Sequence, residues 1–557
     1  MVIHEQAYPL ELSPIHSIPA EAVEHGEVFT RRWVVELILD LVDYRPDREL
    51  ADLRIVEPAC GTGAFLGVIA ERVGESCRKH GLPLSDATGA VQAFDLLARN
   101  VRASRQLVVD VLTEDGWATR DAEELAAVWV KQGDYLLQGS HDASVDLVVG
   151  NPPYIRLEDV PDERMDLYRS SCSTMTGRSD IYVGFYETAL VSLRPGGRLA
   201  YICADRWMHN QYGRNLRSFI VDDFAVDMVI RMHDVDAFQE QVAAYPAITV
   251  VRRGSQGAAT VVETTKDFGP GSTADLLSAG PDLDRWEALG FRKAQLPHWF
   301  PGNDLWPTGS PARLAALEQL ADRFVALGDP RSGVRVGIGI ATGADRVFIT
   351  KEPNLVEIDR LLRLAMVRDT SSGTLEWSGH YLVNPWDDSG ALVDLTKFPK
   401  LAAYLDSNGP ALRGRHVAKR QEGRWYRTID KVDSSLTVQA KLLFPDMKLT
   451  SHPVLDPGGT YPQHNLYYMV SDTWDLKVLG GLLLSKVAEA FIEAYAVKMR
   501  GQTLRFQAQY LRRICVPPSE SISDSDKADL MLAFERRDVE MATEVALRVY
   551  GLDSWPA

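Results

Sequence analysis

The chain has 557 residues, of which 45% are hydrophobic and 25% charged, an ordinary globular composition with enough apolar sequence for two or three cored domains. Its formal charge of -17 excludes a protein that coats nucleic acid through bulk electrostatics, while leaving room for a local basic face. No apolar run reaches the roughly 20 residues that a membrane helix needs.

The first 25 residues carry Glu5, Glu11, Glu21 and Glu24 and lack a basic start with an apolar core, so no secretory signal is expected. Residues 26–50 read as a turn into a helix, with Thr30 as its cap and VVELILDLV as its apolar stripe. Strands are expected at 54–57, 89–95, near 107–111 and at 144–149, with a helix beginning at about Ala64. A helix over roughly 180–193, the turn RPGG at 194–197 and a strand at 199–203 follow. Such alternation predicts a largely parallel α/β sheet. RRGSQG at 252–257 breaks the composition; loop-rich sequence follows at 268–281 and 299–310, then helical sequence at 311–329. The remainder carries glycine-punctuated strands, a basic segment, the buried run LGGLLL at 479–484 and a helix near 482–500. The expected division is 1–255 catalytic, 256–330 connector and 331–557 second domain. Cys60, Cys77, Cys172, Cys203 and Cys515 are odd in number and form no CxxC pair, which predicts reduced thiols in a cytoplasmic protein and no metal site.

Two strings carry chemistry. The first is Glu57-Pro58-Ala59-Cys60-Gly61-Thr62-Gly63-Ala64-Phe65, between a strand and a helix. Gly61 and Gly63 permit a tight turn and close approach of backbone to a ligand, and the helix start offers amide groups to a carboxylate. Glu57, at the strand end, suits an ammonium. The spacing lacks the third glycine of a dinucleotide fingerprint. Gly133-Asp134-Tyr135-Leu136 offers a carboxylate for an adenine amino group and an apolar cover for its ring, and Asp95 ends the second strand, within reach of a ribose. The second string is Asn151-Pro152-Pro153-Tyr154, directly after the strand SVDLVVG, where an open α/β sheet exposes its crevice. The prolines stiffen the backbone and remove two donors. What remains is an acceptor-rich lip, the Asn151 side-chain oxygen and the Pro152 carbonyl, suited to a planar NH2 group. Tyr154 is placed to stack on a ring, with Phe238 as the expected second aromatic and Tyr245 a weaker candidate.

These strings, in this order, resemble the TaqI-like, gamma-class (Eco57I-type) adenine-N6 DNA methyltransferases of restriction–modification systems. GEVFT at 26–30 resembles the family's N-terminal cofactor segment, with Phe29 and Thr30 near the methionine end. EPACGTGAF resembles its main cofactor loop, GDYL its adenine-binding strand end, NPPY its catalytic motif, and Ser179-Asp180-Ile181-Tyr182 with Phe185 the segment lining cofactor and target pocket. The resemblance implies a Rossmann-like S-adenosylmethionine-dependent domain with a C-terminal target-recognition domain. It implies methyl transfer to N6 of an adenine flipped out of double-stranded DNA, protecting host DNA from a separate restriction endonuclease; the oligomeric state stays open, a monomer acting on one strand at a time being compatible with this. Cytosine-N4, RNA or protein-glutamine methylation, and a silent DNA-binding subunit, are the alternatives. One departure stands out: the acid expected two places before Asp95 is Ala93.

In the second domain, Gly343 to Ile349 resembles the family segment that opens target recognition. Residues 411–431 concentrate positive charge. Arg413, Arg415, Lys419, Arg424, Trp425 and Arg427 are the expected DNA contacts, mixing phosphate binders with an aromatic. No nuclease signature is expected anywhere in the sequence.

Overall fold

The computed structural model describes residues 28–556, apart from 140–141, 157–158, 240–244, 286–287, 303–304, 308, 420–421 and 497–502. The expected signal-free N-terminus, Gly26, Arg420 and the end of the 482–500 helix lie outside the described residues. The described residues form two compact units, one ending at residue 312 and the other beginning at residue 313.

The first unit is built on a ten-stranded sheet in the order β3-β2-β1-β4-β5-β7-β6-β8-β10-β9. Its strands are β1 (Ile55–Glu57), β2 (Val91–Asp95), β3 (Val130–Gln132), β4 (Val145–Gly150), β5 (Leu193–Ala204), β6 (Phe224–Arg231), β7 (Pro246–Arg253), β8 (Ala259–Thr264), β9 (Leu283–Arg285) and β10 (Phe291–Leu296). β3, β2, β1, β4 and β5 run parallel. β7 pairs antiparallel with β5 and β6, so the sheet is mixed where a largely parallel one was expected. β1 lies between β2 and β4 and is left in both directions by crossovers. The crevice of an open α/β sheet forms at that reversal, beyond the strands' carboxyl ends.

The sheet also runs past the expected 255/256 boundary. β8 pairs with β6 and β10 with β8, so the hydrogen-bond ladder carries the first unit through the stretch read as connector. Loop-rich composition at 268–281 hides the helix Pro270–Ser278, which has proline in its first turn.

The run near 107–111, expected as a strand, is part of the helix Ala98–Glu114. Val101, Ser104, Val108 and Leu112 are its buried stripe, spaced for a helix, and burial of that face overrides the strand preference of two adjacent valines. The third strand instead comes at Val130–Gln132, so GDYL still follows a strand end. Thr30 does not cap a helix: the helix is Arg32–Leu41, with Arg31 at its N-cap. Leu476–Leu484 and Lys486–Tyr495 are two helices broken at Ser485, whose side chain caps the second.

The second unit has two four-stranded sheets, one ordering 334–338, 466–471, 441–445 and 454–456, the other 349–350, 381–383, 361–365 and 461–462. Inside it Lys441 and Asp456, each 0% exposed, form an ion pair at 2.9 Å across paired strands. Asp456 also accepts from Thr460 Oγ1 at 2.5 Å and Gly458 N at 2.8 Å. Losing one partner of such a pair leaves an uncompensated buried charge, at a cost of about 3–5 kcal/mol. Lys441→Met is expected to lower unfolding stability by that order in denaturant titration. A change below about 1 kcal/mol would show that water, rather than Lys441, compensates Asp456.

Candidate active site

The loop after β1 and the loop after β4 face each other across the crevice. In the first, Gly61 and Gly63 take left-handed conformations, with φ of 54° and 100°. A Cβ on Gly63 would stand 2.7 Å from Leu107 Cδ2, so the loop's glycine and the helix that displaced the expected strand are mutually adapted. Gly63 precedes the helix Ala64–His80, which no side chain caps; Ala64 and Phe65 line the pocket beside it.

Asp95 braces this loop. Its Oδ2 accepts from Gly61 N at 3.0 Å, and its Oδ1 from Leu97 N at 2.8 Å and Asn100 Nδ2 at 3.1 Å. The carboxylate therefore holds the glycine turn in place, a role additional to the expected ribose contact. Ala93, where a second acid was expected, is buried in β2.

Glu57 is 2% exposed. Burial, then the nearby Asp95 charge, push its carboxyl up to about 8, against a backbone hydrogen bond from Leu66. Its Oε2 is buried with no partner and the residue lines the pocket. An unpartnered buried acid facing a cavity fits a ligand ammonium. Phe29, Ala59, Asp134 and Tyr135 line the same cavity. Asp134 Oδ1 caps the turn 135–138 at Leu136 N, 3.2 Å, and its Oδ2 receives Tyr168 OH at 2.7 Å. Sequence reasoning missed Tyr168, which arrives from the separate helix Asp162–Ser171. Tyr135 stacks on Phe185 with centroids 5.8 Å apart.

At the end of β4, Asn151 Nδ2 donates to Val28 O at 2.9 Å and to Thr30 Oγ1 at 3.3 Å. Two acceptors on one side fix which way the amide points. Asn151 Oδ1 is consequently turned the other way, buried and without a partner, in a residue that lines the pocket. Thr30 also bridges to Phe238, flanked by Arg31 N to Ala237 O at 3.0 Å and Gln239 N to Phe29 O at 2.8 Å. This pairing carries Phe238 to Tyr154, with ring centroids 6.5 Å apart at 83°. Tyr182 stands 6.4 Å from Tyr154 at 63°. Pro152 is buried and Pro153 lines the pocket. Tyr245 is exposed and contacts His233. Of the expected residues, Phe29, Thr30, Glu57, Ala59, Gly61, Asp95, Asp134, Tyr135, Asn151 and Pro153 line one pocket, whereas Gly63, Pro152, Tyr154 and Phe238 do not; Thr30 additionally orients the Asn151 amide.

A model of the Eco57I restriction-modification methylase family matches residues 102–238. The chain is 40% identical to the Type II methyltransferase M.PaeR7I of Pseudomonas aeruginosa, over 95% of this chain and 92% of that protein. It is 37% identical to M.XhoI of Xanthomonas vasicola, over 95% and 98%. The chain belongs to the Type II methyltransferases. It is a site-specific, S-adenosylmethionine-dependent adenine-N6 DNA methyltransferase of a restriction–modification system. The Type IIL restriction-modification enzyme MmeI shares the fold, with a TM-score of 0.52 at 10% identity, covering 94% of this chain and 74% of that one. Among the described residues, no helix of the methyltransferase is long and apolar enough to cross a membrane.

The expected DNA contacts separate into two kinds. Arg413, Lys419 and Arg424 are exposed, and Arg413 lies 3.8 Å over the Trp425 ring. Arg415 is a structural clip: it donates to Thr342 O at 3.1 Å, Leu412 O at 3.1 Å, Trp425 O at 2.9 Å and Arg427 O at 2.8 Å. Trp425 is buried in the unit's core, and Arg427 donates to Thr428 O and Ile429 O, both at 3.3 Å. The segment is made of short helices and turns. Its carbonyls, left unpaired by the lack of a ladder, consume the guanidinium donors.

The Glu57 carboxyl holds its proton in the cofactor-free protein up to about pH 8. Its folded value lies above its unfolded one, so the native state binds more protons and stability falls as pH rises from about 4.5 to 8. Glu57→Gln is expected to raise the Tm of the cofactor-free methyltransferase at pH 8 and to weaken cofactor binding in calorimetry at least tenfold. An unchanged Tm together with unchanged affinity would falsify the ammonium site.

Proposed function

We propose that Asn151 Oδ1 and the Pro152 carbonyl accept the two N–H bonds of the target adenine's amino group, while Tyr154 and Phe238 hold the flipped base. The observation carrying this is the locked Asn151 amide, whose free oxygen faces the pocket. In a free base the amine lone pair is delocalised into the ring and nucleophilicity is low. Acceptors placed out of the ring plane favour a pyramidal nitrogen with a localised lone pair, and their preorganisation supplies the rate. Glu57 would take the ammonium of the bound cofactor, the start of the helix Ala64–His80 its carboxylate, and Asp134 with Tyr135 its adenine. When bound, S-adenosylmethionine supplies an electrophilic methyl on a positively charged sulfur. A base in a duplex cannot reach such a pocket, so it leaves the stack, and stacking on Tyr154 returns about 1–3 kcal/mol.

Further parts of this reading are that residues 331–557 recognise the duplex site and that Arg413, Lys419 and Arg424 contact its backbone. The methyltransferase would act as a cytoplasmic monomer beside a separate restriction endonuclease, whose readout in the major groove the new methyl would spoil. Support comes from the exposure of those three cations and from the full-length similarity to Type II methyltransferases.

Asn151→Ala is expected to lower kcat at least 100-fold, or about 2.7 kcal/mol by analogy with one lost oxyanion donor, with cofactor affinity within a few-fold. Thr30→Val, which loses only an orienting acceptor, should cost about 1 kcal/mol. Transfer of labelled methyl groups, with N6-methyladenine identified in the digested product, measures both. Near-normal transfer by Asn151→Ala, or label in cytosine, would refute the scheme. Charge reversal at Arg413 and Arg424 is expected to weaken duplex binding and to make it less sensitive to salt; titrations at several ionic strengths that superimpose on wild type would remove both residues from the interface.

A further inference from the structure

A different surface of the second unit carries cations of an unusual kind. On the sheet formed by 349–350, 381–383 and 361–365, Arg363 and Thr350 both align with Tyr381. The exposed Arg363 guanidinium lies 4.7 Å over the Trp377 ring. Trp377 is held by its Nε1 donating to His380 O at 2.9 Å and by edge contact with Tyr381. Arg368, also exposed, donates to His380 Nε2 at 2.7 Å. Arginine has no acceptor, so His380 Nε2 is the bare nitrogen, and its Nδ1–H donates to Ser378 Oγ at 2.8 Å. The same arrangement recurs along the surface. His452 Nε2 donates to Thr370 O at 2.9 Å, which leaves His452 Nδ1 to accept from Arg537 Nη2 at 3.2 Å.

Two neutral imidazoles therefore serve as acceptors for two arginines. Burial depresses both, helped by Arg368 and Lys351 around His380 and by Arg537 and Lys448 around His452. This is an expensive way to hold a guanidinium when a carboxylate would do. Several other cations in this unit are paired with acids, as in Arg505–Asp446, Arg548–Asp526 and Lys477–Glu535. Among the described residues, Lys351, Arg363, Arg368, Lys448 and Arg537 form no ion pair with a carboxylate, although the chain carries a formal charge of -17. The acids nearby are otherwise engaged or apart. Asp369 is buried, its Oδ2 accepting from Met366 N at 3.0 Å and its Oδ1 bonded to neither arginine. Glu376 accepts from Ser372 Oγ at 2.9 Å and Thr374 Oγ1 at 3.4 Å. Glu352 sits on the turn after Thr350, its backbone N donating to Thr350 Oγ1. An acidic partner side chain would neutralise these arginines within the molecule; a histidine acceptor orients one and leaves its charge uncancelled.

We propose that this strip is a phosphate-contact surface for duplex DNA. Arg363 and Arg368 bind the backbone with Lys351 beside them, and His380 is a positioning residue that aims Arg368. The inference rests on the chain's action on DNA and adds a surface that the basic segment at 411–431 does not include. Phosphate contacts set position without reading bases, so the strip is expected to serve target and non-target duplexes alike.

The test is fluorescence anisotropy of labelled duplexes with and without the target site, across a series of salt concentrations. It uses the full chain with S-adenosylhomocysteine present, the wild type's methylation of the same duplex being measured in parallel. Arg363→Gln with Arg368→Gln is expected to weaken both duplexes in parallel, by about tenfold or more at low salt. The slope of log K against log salt should become shallower by about 0.9 for each phosphate that the variant leaves unneutralised. Arg363→Lys with Arg368→Lys should keep most of the slope. His380→Ala should behave like Arg368→Gln alone, and His380→Gln, which restores an acceptor, should recover part of the loss. Cofactor affinity and Tm should stay near wild type in the arginine variants. An unchanged slope and affinity, in a protein whose wild type binds and methylates the duplex, would overturn the strip and leave the activity standing. Loss confined to the target duplex at unchanged slope would overturn it equally, in favour of base readout. A wild type that binds neither duplex would overturn the DNA reading itself, and the strip with it.

Discussion

The site depends on which way one amide points. An asparagine can offer a donor or an acceptor to a cavity, and only the acceptor face serves an NH2 group. Here the choice is made by the strand-like segment at 28–31, whose Val28 carbonyl and Thr30 hydroxyl both face Asn151 Nδ2. With the donors occupied, Oδ1 is turned into the pocket by elimination. The prolines after it limit the freedom of the loop, so the acceptor is held in place before any substrate arrives. The remaining features extend that arrangement: β1 and β4 bring the two loops together, Asp95 pins the glycine turn, and the aromatic rings bound the space beyond.

Two buried polar atoms without partners, Glu57 Oε2 and Asn151 Oδ1, mark opposite chemical demands in one cavity. An unsatisfied buried acceptor is costly in a protein at rest. A carboxyl driven toward its neutral form suits a cation that arrives with its own hydrogen-bond donors; an amide oxygen suits a neutral amine. The protein accepts a standing instability at these positions, and the fold around them is compensated by an extensive apolar core and by bracing hydrogen bonds from Asp95 and Asn100.

What the sequence disclosed was set by how local each signal is. EPACGTGAF and NPPY are contiguous strings at strand ends, so their positions in the crevice could be read without a structure. Phe238 was legible only through its family spacing, because nothing near it distinguishes it from a core phenylalanine. The role of Thr30 was not legible, since it depends on contact with Asn151 and Phe238, both remote in the chain; a capping role looked better on local grounds. The valines at 108 and 109 spoke for a strand; the helical spacing of the buried Val101, Ser104, Val108 and Leu112, with Leu107 close against Gly63 and Gly67, shows why that segment is a helix. In the second unit, short irregular elements blurred the reading. A cluster of arginines in sequence was partly consumed by its own backbone carbonyls, whereas Arg368 and Arg537 are held by His380 and His452, and Arg363 by Trp377, through contacts that no linear pattern links.

The bridge between Thr30 and Phe238 has an evolutionary consequence. One short pairing sets the amide's orientation on one side and the placement of the aromatic wall on the other. A mutation that slipped its register would misalign both at once, and neither could be repaired by a second change at Asn151 or Tyr154 themselves. Drift in the N-terminal segment is thus chained to drift around residue 238, two stretches more than 200 residues apart that the fold obliges to change together.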